Sequence, residues 1–180
     1  GNYYHRGRSR LMMWWALLVI ILLFCVTALT GAPYVPSHRR DVQRALTQLY
    51  SLGPEDCLVD MGSGDGVVLK VARQQGARAF GVELNPLLVL LSRWRLRGDT
   101  RAMVVCGNLY RTNFPAGTTV VYTFGDSRDI ARMATHVQQQ ATRLGTDLWF
   151  VSYAFAVPGW TPMREQGAHK LYQVRAEQHK

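Results

Sequence analysis

From about residue 37 onward, the chain alternates short apolar runs with segments whose apolar residues recur at helical spacing. Each apolar run has the length of a buried strand. Continuous apolar strands separated by amphipathic helices indicate a parallel sheet that is covered by helices on both faces. The pattern therefore predicts an α/β fold with a doubly wound, mostly parallel sheet. The predicted strands lie at about 57–61, 79–83, 102–106, 119–124 and 148–153.

After the last of these strands the alternation stops. Residues 158–162 contain two prolines and a glycine, which predicts a turn. Residues 170–174 then alternate apolar and polar side chains, as a half-buried strand does. We therefore expect the sheet to close with a terminal antiparallel hairpin.

The predicted helices differ in how they begin. Ser37 is expected to cap the first helix of the domain, and Asp126 or Ser127 the last. Pro86 suits the first turn of the leucine-rich helix that follows the second strand. The spacing predicts that the large apolar residues of this helix face the core and that its arginines face solvent. The residues expected to face inward are Leu87, Leu88, Leu90, Leu91 and Trp94.

Residues 11–29 contain no charge, glycine or proline. At about 1.5 Å per residue, this run is just long enough to cross the hydrocarbon core of a bilayer. We predict a transmembrane helix over 11–30, preceded by a basic segment over 1–10. The alternative is a secretory signal, whose apolar core usually has about 7–15 residues. Prolines in 31–36 predict a linker or active-site loop, which places the globular domain at 37–180.

Composition narrows the choice of partners. The first forty residues contain no acid, and arginines flank the apolar run on both sides. Such an N-terminus resembles a mitochondrial targeting region and leaves the membrane orientation open. The net charge is +9, but no RNA-binding signature accompanies it, so we expect a surface near anionic lipid rather than nucleic acid. The cysteines and histidines are too widely spaced to predict a metal site.

The most informative motif is the run DMGSGDG at 60–66, which lies between a predicted strand and a predicted helix. Glu83 ends the next strand. This is the layout of a nucleotide-binding βαβ unit, in which glycines permit a tight turn and an acid about 20 residues on binds ribose hydroxyls. A dinucleotide fingerprint would place a small residue where this chain has Val67, and would not require Asp60. The run resembles instead the first motif of the Rossmann-like S-adenosylmethionine (SAM) methyltransferases.

Ligands of open α/β sheets bind beyond the carboxyl ends of the strands, where the strand order reverses. We therefore expect the loop amides to face the methionine part of SAM, Glu83 the ribose and the end of strand three the adenine. Phe124, at the end of strand four, would face the methyl acceptor. Simpler roles stay open, because Asp60 could cap a turn, Glu83 could be a surface acid and Asn108 a turn residue. The candidate cofactor-binding residues are Asp60, Gly62, Ser63, Gly64, Gly66, Glu83, Asn85, Asn108 and Leu109.

A narrower resemblance rests on several segments together. Pro-Tyr-Val-Pro-Ser at 33–37, the glycine run at 60–66 and Gly-Val-Glu-Leu-Asn-Pro at 81–86 are similar to the membrane-anchored mitochondrial protein-lysine methyltransferases. The similarity continues through Tyr-Thr-Phe-Gly at 122–125 and Phe-Ala-Val-Pro-Gly-Trp at 155–160. Known members modify the adenine nucleotide translocator and the ATP synthase c-subunit.

The resemblance implies a Rossmann-like domain that binds SAM, an inner-membrane anchor and a catalytic domain on the matrix side. It also implies that Tyr34, Pro36 and Phe124 position the acceptor. The chain departs from the family at Asn108, where an acid is usual, and at Asp126-Ser127, where Val-Pro is usual. The alternative function is therefore a non-catalytic accessory subunit of a respiratory complex or ATP synthase. An RNA methyltransferase is a third hypothesis without support in the sequence.

Overall fold

The computed structural model describes residues 12–21 and 39–177. The chain divides into two units, Gly1–Tyr34 and Val35–Lys180. In the first unit, residues 12–21 form a helix, α1, with exposed side chains. The remainder of the predicted transmembrane segment 11–30 lies outside the described residues, as do the predicted linker 31–36 and Ser37. Within the described residues, no helix combines the length and the apolar character needed to cross a membrane.

The second unit is built on one mixed sheet with the strand order β3-β2-β1-β4-β5-β7-β6. The strands β1 to β5 are parallel neighbours, whereas β7 runs antiparallel to both β5 and β6. The predicted parallel sheet and its closing antiparallel hairpin are therefore confirmed. The strands are β1 Cys57–Met61, β2 Arg78–Glu83, β3 Ala102–Cys106, β4 Val120–Thr123, β5 Leu148–Tyr153, β6 Arg164–Gln166 and β7 His169–Val174.

Helices cover both faces of this sheet, as the alternating pattern predicts. One apolar core joins the first three helices of the domain to one face of the strands, and a second core joins the last helix to the opposite face. The helices are α2 Arg39–Arg44, which continues as a π-helical turn Ala45–Leu49, α3 Val67–Gln74, α4 Pro86–Arg95 and α5 Ile130–Leu144.

Local sequence fixes where the helices begin and end. The Asn85 side chain caps α4 by accepting a hydrogen bond from the Leu87 amide at 2.9 Å, and Pro86 occupies the first turn. The N-cap of α5 is Asp129, whose side chain makes no capping hydrogen bond, rather than the predicted Asp126 or Ser127. The Asp126 carboxylate instead caps the turn that leads into α5 by accepting from the amides of Arg128 and Asp129. Gly145, at φ 65°, ends α5 in the left-handed conformation.

The orientation of α4 corrects the sequence prediction. Val89, Ser92 and Leu96 are buried against the sheet, whereas Leu87 and Leu88 are only partly buried. Leu90, Leu91 and Trp94 are exposed. Ser92 occupies the buried side because α4 passes so close to the glycine run that an added Gly66 Cβ would lie 2.2 Å from the Ser92 Oγ. This close approach requires a small residue at position 92. The large apolar residues therefore lie on the exposed side of α4.

Candidate functional site

The candidate site residues lie where the parallel strands end. Met61 is in register with Val82 on one side and with Thr123 on the other. Glu83 is in register with Cys106, and Thr123 with Ser152. The residues that follow these positions therefore share one edge of the sheet. They are the glycine loop after β1, Asn85 after β2, Asn108 after β3, Phe124 after β4 and Tyr153 at the end of β5.

Two glycines shape the loop in different ways. Gly62 and Gly66 both have positive φ, at 83° and 80°, where a side chain is strained. A Cβ on Gly62 would meet no atom within 4 Å, so the space above this residue is open. A Cβ on Gly66 would collide with Ser92 of α4. Gly62 thus leaves room for a ligand, and Gly66 lets two helices pack closely.

The loop amides are less available than the glycine motif predicts. The amides of Gly62 and Ser63 both donate to the Val82 carbonyl, at 2.9 and 3.0 Å. The Gly66 amide donates to the Ser63 carbonyl at 2.9 Å. The Ser63 side chain is buried over Gly81 of β2, since a Cβ on Gly81 would lie 2.6 Å from its Oγ. Hydrogen bonds within the protein therefore hold this part of the loop against β2.

Glu83 joins the loop to the start of α4. Its Oε2 accepts from the Gly64 amide at 2.8 Å, and its Oε1 accepts from the Asn85 amide at 2.8 Å. The carboxylate is thus held in one orientation over the loop. Each carboxylate oxygen can accept more than one hydrogen bond, so both can also accept from a ligand hydroxyl.

Three acids lie in or beside the glycine run. The Asp60 carboxyl is buried at the end of β1, and the loss of hydration raises its pKa well above the ordinary value. The negative charges of Glu83 and Asp65 raise this pKa further. Arg95 of α4 forms an ion pair with Asp65 at 2.5 Å. The ionised form of Asp60 is therefore costly, and a cationic ligand beside it would reduce that cost.

The end of β3 is a capped turn. The Asn108 Oδ1 accepts from the Tyr110 amide at 2.9 Å, which supports the turn-residue role that the sequence leaves open. Leu109 is partly buried against the core beside α5. The Gly107 amide donates to the Glu83 carbonyl at 3.0 Å, which places this turn directly beside the Glu83 strand end. Asn108 retains its amide NH₂ and a second lone pair for a ligand.

An aromatic cluster occupies the other half of the strand edge. The rings of Phe124 and Tyr153 stack with their centroids 4.8 Å apart. His169 of β7 meets the Tyr153 ring edge-on at 4.7 Å, and its Nε2 lies 3.0 Å from the Tyr122 hydroxyl. Burial lowers the pKa of His169 to about 4. Of these residues, the sequence predicts only Phe124 as part of the site. Tyr153 and His169 could not be predicted, because the register of the sheet brings them beside it.

Asp126 has a local structural role beside this cluster. Its carboxylate accepts from two nitrogens of the Arg128 guanidinium and from two backbone amides. Hydrogen bonds from Arg128 hold the pKa of Asp126 below its ordinary value. Tyr34 and Pro36, also expected to position an acceptor, lie outside the described residues. Across residues 12–21 and 39–177, no group of three His, Cys, Asp or Glu side chains is placed to hold a metal ion.

Comparison with known proteins identifies the family of this chain. Residues 60–164 match the family described as the ANTKMT methyltransferase domain. The chain is 31% identical over 134 residues to the human ATP synthase c-subunit lysine N-methyltransferase, covering 72% of this chain and 54% of that protein. It is 29% identical over 135 residues to a protein-lysine N-methyltransferase of Saccharolobus islandicus, covering 72% of this chain and 81% of that protein. The chain thus spans about half the length of the first of these relatives.

A solved structure shares the fold of this chain. The crystal structure of an RNA methyltransferase from Salinibacter ruber in complex with S-adenosyl-L-homocysteine aligns with a TM-score of 0.69 and 26% sequence identity. The alignment covers 81% of this chain and 97% of that one. The matched family region contains the glycine loop, Glu83 and Phe124, which were identified from the sequence. The chain belongs to the ANTKMT methyltransferase domain family.

Proposed function

We propose that this protein is a SAM-dependent protein-lysine N-methyltransferase that acts on a membrane-embedded mitochondrial protein. Segment 11–30 would anchor it in the inner membrane, with the globular domain facing the matrix. The observation that carries the proposal is the position of Glu83, whose carboxylate is fixed over an open glycine loop beside the buried Asp60.

The residues present fit SAM in shape and in charge. The open space above Gly62 accommodates a ligand close to the backbone. Glu83 and the buried Asp60 favour a cationic ligand, because the positive sulfonium and amino groups of SAM would stabilise the ionised form of Asp60. Glu83 would hold the ribose hydroxyls, and the Asn108 side chain and Leu109 would border the adenine. Ser63, Gly64 and Gly66 would contribute the shape of the loop rather than free amide donors.

When bound, SAM supplies a methyl group that is activated by its positive sulfur. The protein's part is to align an acceptor nitrogen with that methyl group, and such alignment can lower a barrier by ~7–11 kcal/mol. The stacked rings of Phe124 and Tyr153 form an apolar wall at the acceptor side. Loss of hydration at this wall and the positive sulfonium both lower the pKa of a lysine ammonium, so the lysine can lose its proton to water and attack as the neutral amine. This arrangement requires no general base.

A lysine acceptor is supported by the relatives. The human and Saccharolobus proteins both carry lysine N-methyltransferase in their names. The human relative is also named for a component of ATP synthase, which supports a mitochondrial membrane protein as the acceptor here. The uncharged run 11–29 supports the anchor. The alternative, an accessory subunit that does not transfer methyl groups, is the competing outcome of the test below.

The test incubates the full-length chain with isotopically labelled SAM and mitochondrial inner membranes, followed by mass spectrometry of membrane-protein lysines. We expect a labelled methyl group on a lysine with the wild-type chain and none with Glu83→Gln. Asp147→Asn is the matched control, because Asp147 binds the C-terminal backbone away from the strand edge. Wild-type protein that co-purifies with a respiratory complex but labels no lysine would contradict the proposal and favour the accessory subunit.

A further inference from the structure

The outer surface of α4 is apolar although it faces away from the core. Leu87, Leu90, Leu91 and Trp94 recur at helical spacing on the side opposite the buried Val89. Leu90 is 66% exposed and Trp94 is 61% exposed. Leu84, just before the helix, is also exposed. We call these five residues the α4 stripe. Large apolar groups gathered on one exposed helix face indicate a contact surface rather than scattered surface residues.

Arginines border the α4 stripe. Residues 84–98 contain three arginines and no acid. Arg97 lies over the Trp94 ring, with its guanidinium carbon 5.0 Å from the centroid. Arg93 borders the stripe and donates to the Val104 carbonyl of the edge strand β3 at 2.8 Å. Arg95, on the other border, is paired with Asp65, so Arg93 and Arg97 contribute the uncompensated charge.

We propose that the α4 stripe docks the domain on the surface of an anionic phospholipid bilayer. A helix with Trp and Leu on one face and arginines on its borders suits the interface, where its apolar side chains enter the acyl boundary and its cations meet phosphates. The absence of acids in 84–98 complements a negative surface. The stripe extends for only about two helical turns, so it acts together with another attachment to the membrane, such as the proposed anchor, which raises its effective concentration.

Docking would also orient the strand edge. The α4 stripe begins at Leu84, directly after Glu83, so the rim of the candidate site would lie at the bilayer surface. This consequence rests on the proposed function, since it would bring the site within reach of a lysine at the membrane interface. The docking itself is independent of methyl transfer and is tested without SAM.

The experiment places a polarity-sensitive fluorophore on a single accessible cysteine in the full-length chain, with Cys25 and Cys106 replaced by serine and the buried Cys57 retained. One version carries the label at Leu90→Cys. The matched control carries it at Thr135→Cys, which is exposed on α5 on the opposite face of the sheet. Both versions have the same N-terminus, so attachment through segment 11–30 affects them equally. The chains are reconstituted in vesicles that are either zwitterionic or rich in cardiolipin.

On anionic vesicles, we expect the Leu90 label to shift to shorter wavelength and to be quenched by lipids that carry a nitroxide on the acyl chain. The Thr135 label is expected to show neither change. Arg97→Gln should lower the ratio of docked to undocked protein by about fivefold, whereas Arg128→Gln should leave it unchanged. Equal behaviour of the two labels, whether or not the vesicles retain the protein, would overturn the proposal. If the Leu90 label is shielded only after a membrane protein is added, the α4 stripe binds a protein rather than lipid. That result would also overturn the proposal.

Discussion

The two halves of the strand edge are built by different means. At the ends of β1 and β2, backbone hydrogen bonds and one carboxylate join residues that are within about 25 positions of one another in the chain, as between Gly64 and Glu83. At the ends of β4 and β5, aromatic rings pack on one another, and their partners come from distant segments, as with Phe124, Tyr153 and His169. Under the proposed function, the first half is the cofactor site. The second half is where a particular acceptor would be selected.

This difference shows which structural features a sequence motif specifies and which it does not. The glycine run specifies a backbone shape, and that shape constrains nearby residues such as Ser92, whose small size is needed beside Gly66. The aromatic half has no comparable local rule, because ring stacking depends on the register of β4, β5 and β7. Substitutions in the first half should therefore affect folding and SAM binding, whereas substitutions in the second should affect turnover.

The largest effect is expected in the cofactor half, from Gly66→Ala. It combines a strained positive φ with a collision against Ser92, and together these should lower the free energy of unfolding by about 3 kcal/mol. Gly62→Ala is the matched control, because it has the same φ strain but open space around the added methyl group. Its expected loss is about half as large. Urea denaturation of both variants measures the difference, and equal losses would contradict the packing role of Gly66.

In the proposed acceptor half, Tyr153→Ala should lower kcat/KM for methyl transfer by about 100-fold, because it removes one ring of the wall that we propose aligns the acceptor. The Kd for SAM should stay within about twofold of the wild-type value. Tyr153→Phe keeps the ring and should retain most of the activity. Kinetics with varied acceptor, combined with calorimetric SAM binding, separate the two effects. A parallel loss of SAM affinity would show that the halves are not distinct.

The sequence predicted most of the fold because its signals are local. The apolar runs at 57–61, 102–106 and 148–153 match β1, β3 and β5 to the residue, and Pro86 opens α4 as expected. The predicted orientation of α4 was wrong, since both sides of this helix carry leucines and periodicity alone does not choose between them. The choice depends on the close approach of Gly66 to Ser92, which is a contact between elements. The positions of Tyr153 and His169 were missed for the same reason.

A smaller effect is expected from His169, which supports the aromatic half. Burial lowers its pKa to about 4, so the unfolded chain binds a proton more readily between about pH 6.5 and 4 than the folded protein does. The contribution of His169 to stability is therefore complete above about pH 6.5 and is lost as the pH falls towards 4. Denaturation at several pH values should show a shallower decline for His169→Gln than for the wild type. Asp60 changes the stability with pH in the opposite direction, but it does so equally in the wild type and in His169→Gln. If the two proteins lose stability equally steeply as the pH falls, the role assigned to His169 is wrong.

The smallest effect is expected at Asp126, where the chain departs from the Val-Pro usual in the family. Its carboxylate caps the turn before α5 and pairs with Arg128, whose side chain is 80% exposed. Exposed ion pairs contribute little to stability. Asp126→Ala should leave SAM affinity unchanged and lower the free energy of unfolding modestly, mainly through the lost hydrogen bonds to the amides of Arg128 and Asp129, as measured by thermal denaturation. Loss of SAM binding in Asp126→Ala would extend the cofactor half beyond β1 and β2.

The most direct test of the account is calorimetric titration of SAM into the full-length chain, with Glu83→Gln and Tyr153→Ala titrated in parallel. We expect binding by the wild type and by Tyr153→Ala, and a loss of about 100-fold in Glu83→Gln, which no longer offers a charged acceptor to the ribose hydroxyls. Circular dichroism checks that each protein is folded. If the folded wild type binds no SAM, or if Glu83→Gln binds it equally well, the strand edge is not the cofactor site described above.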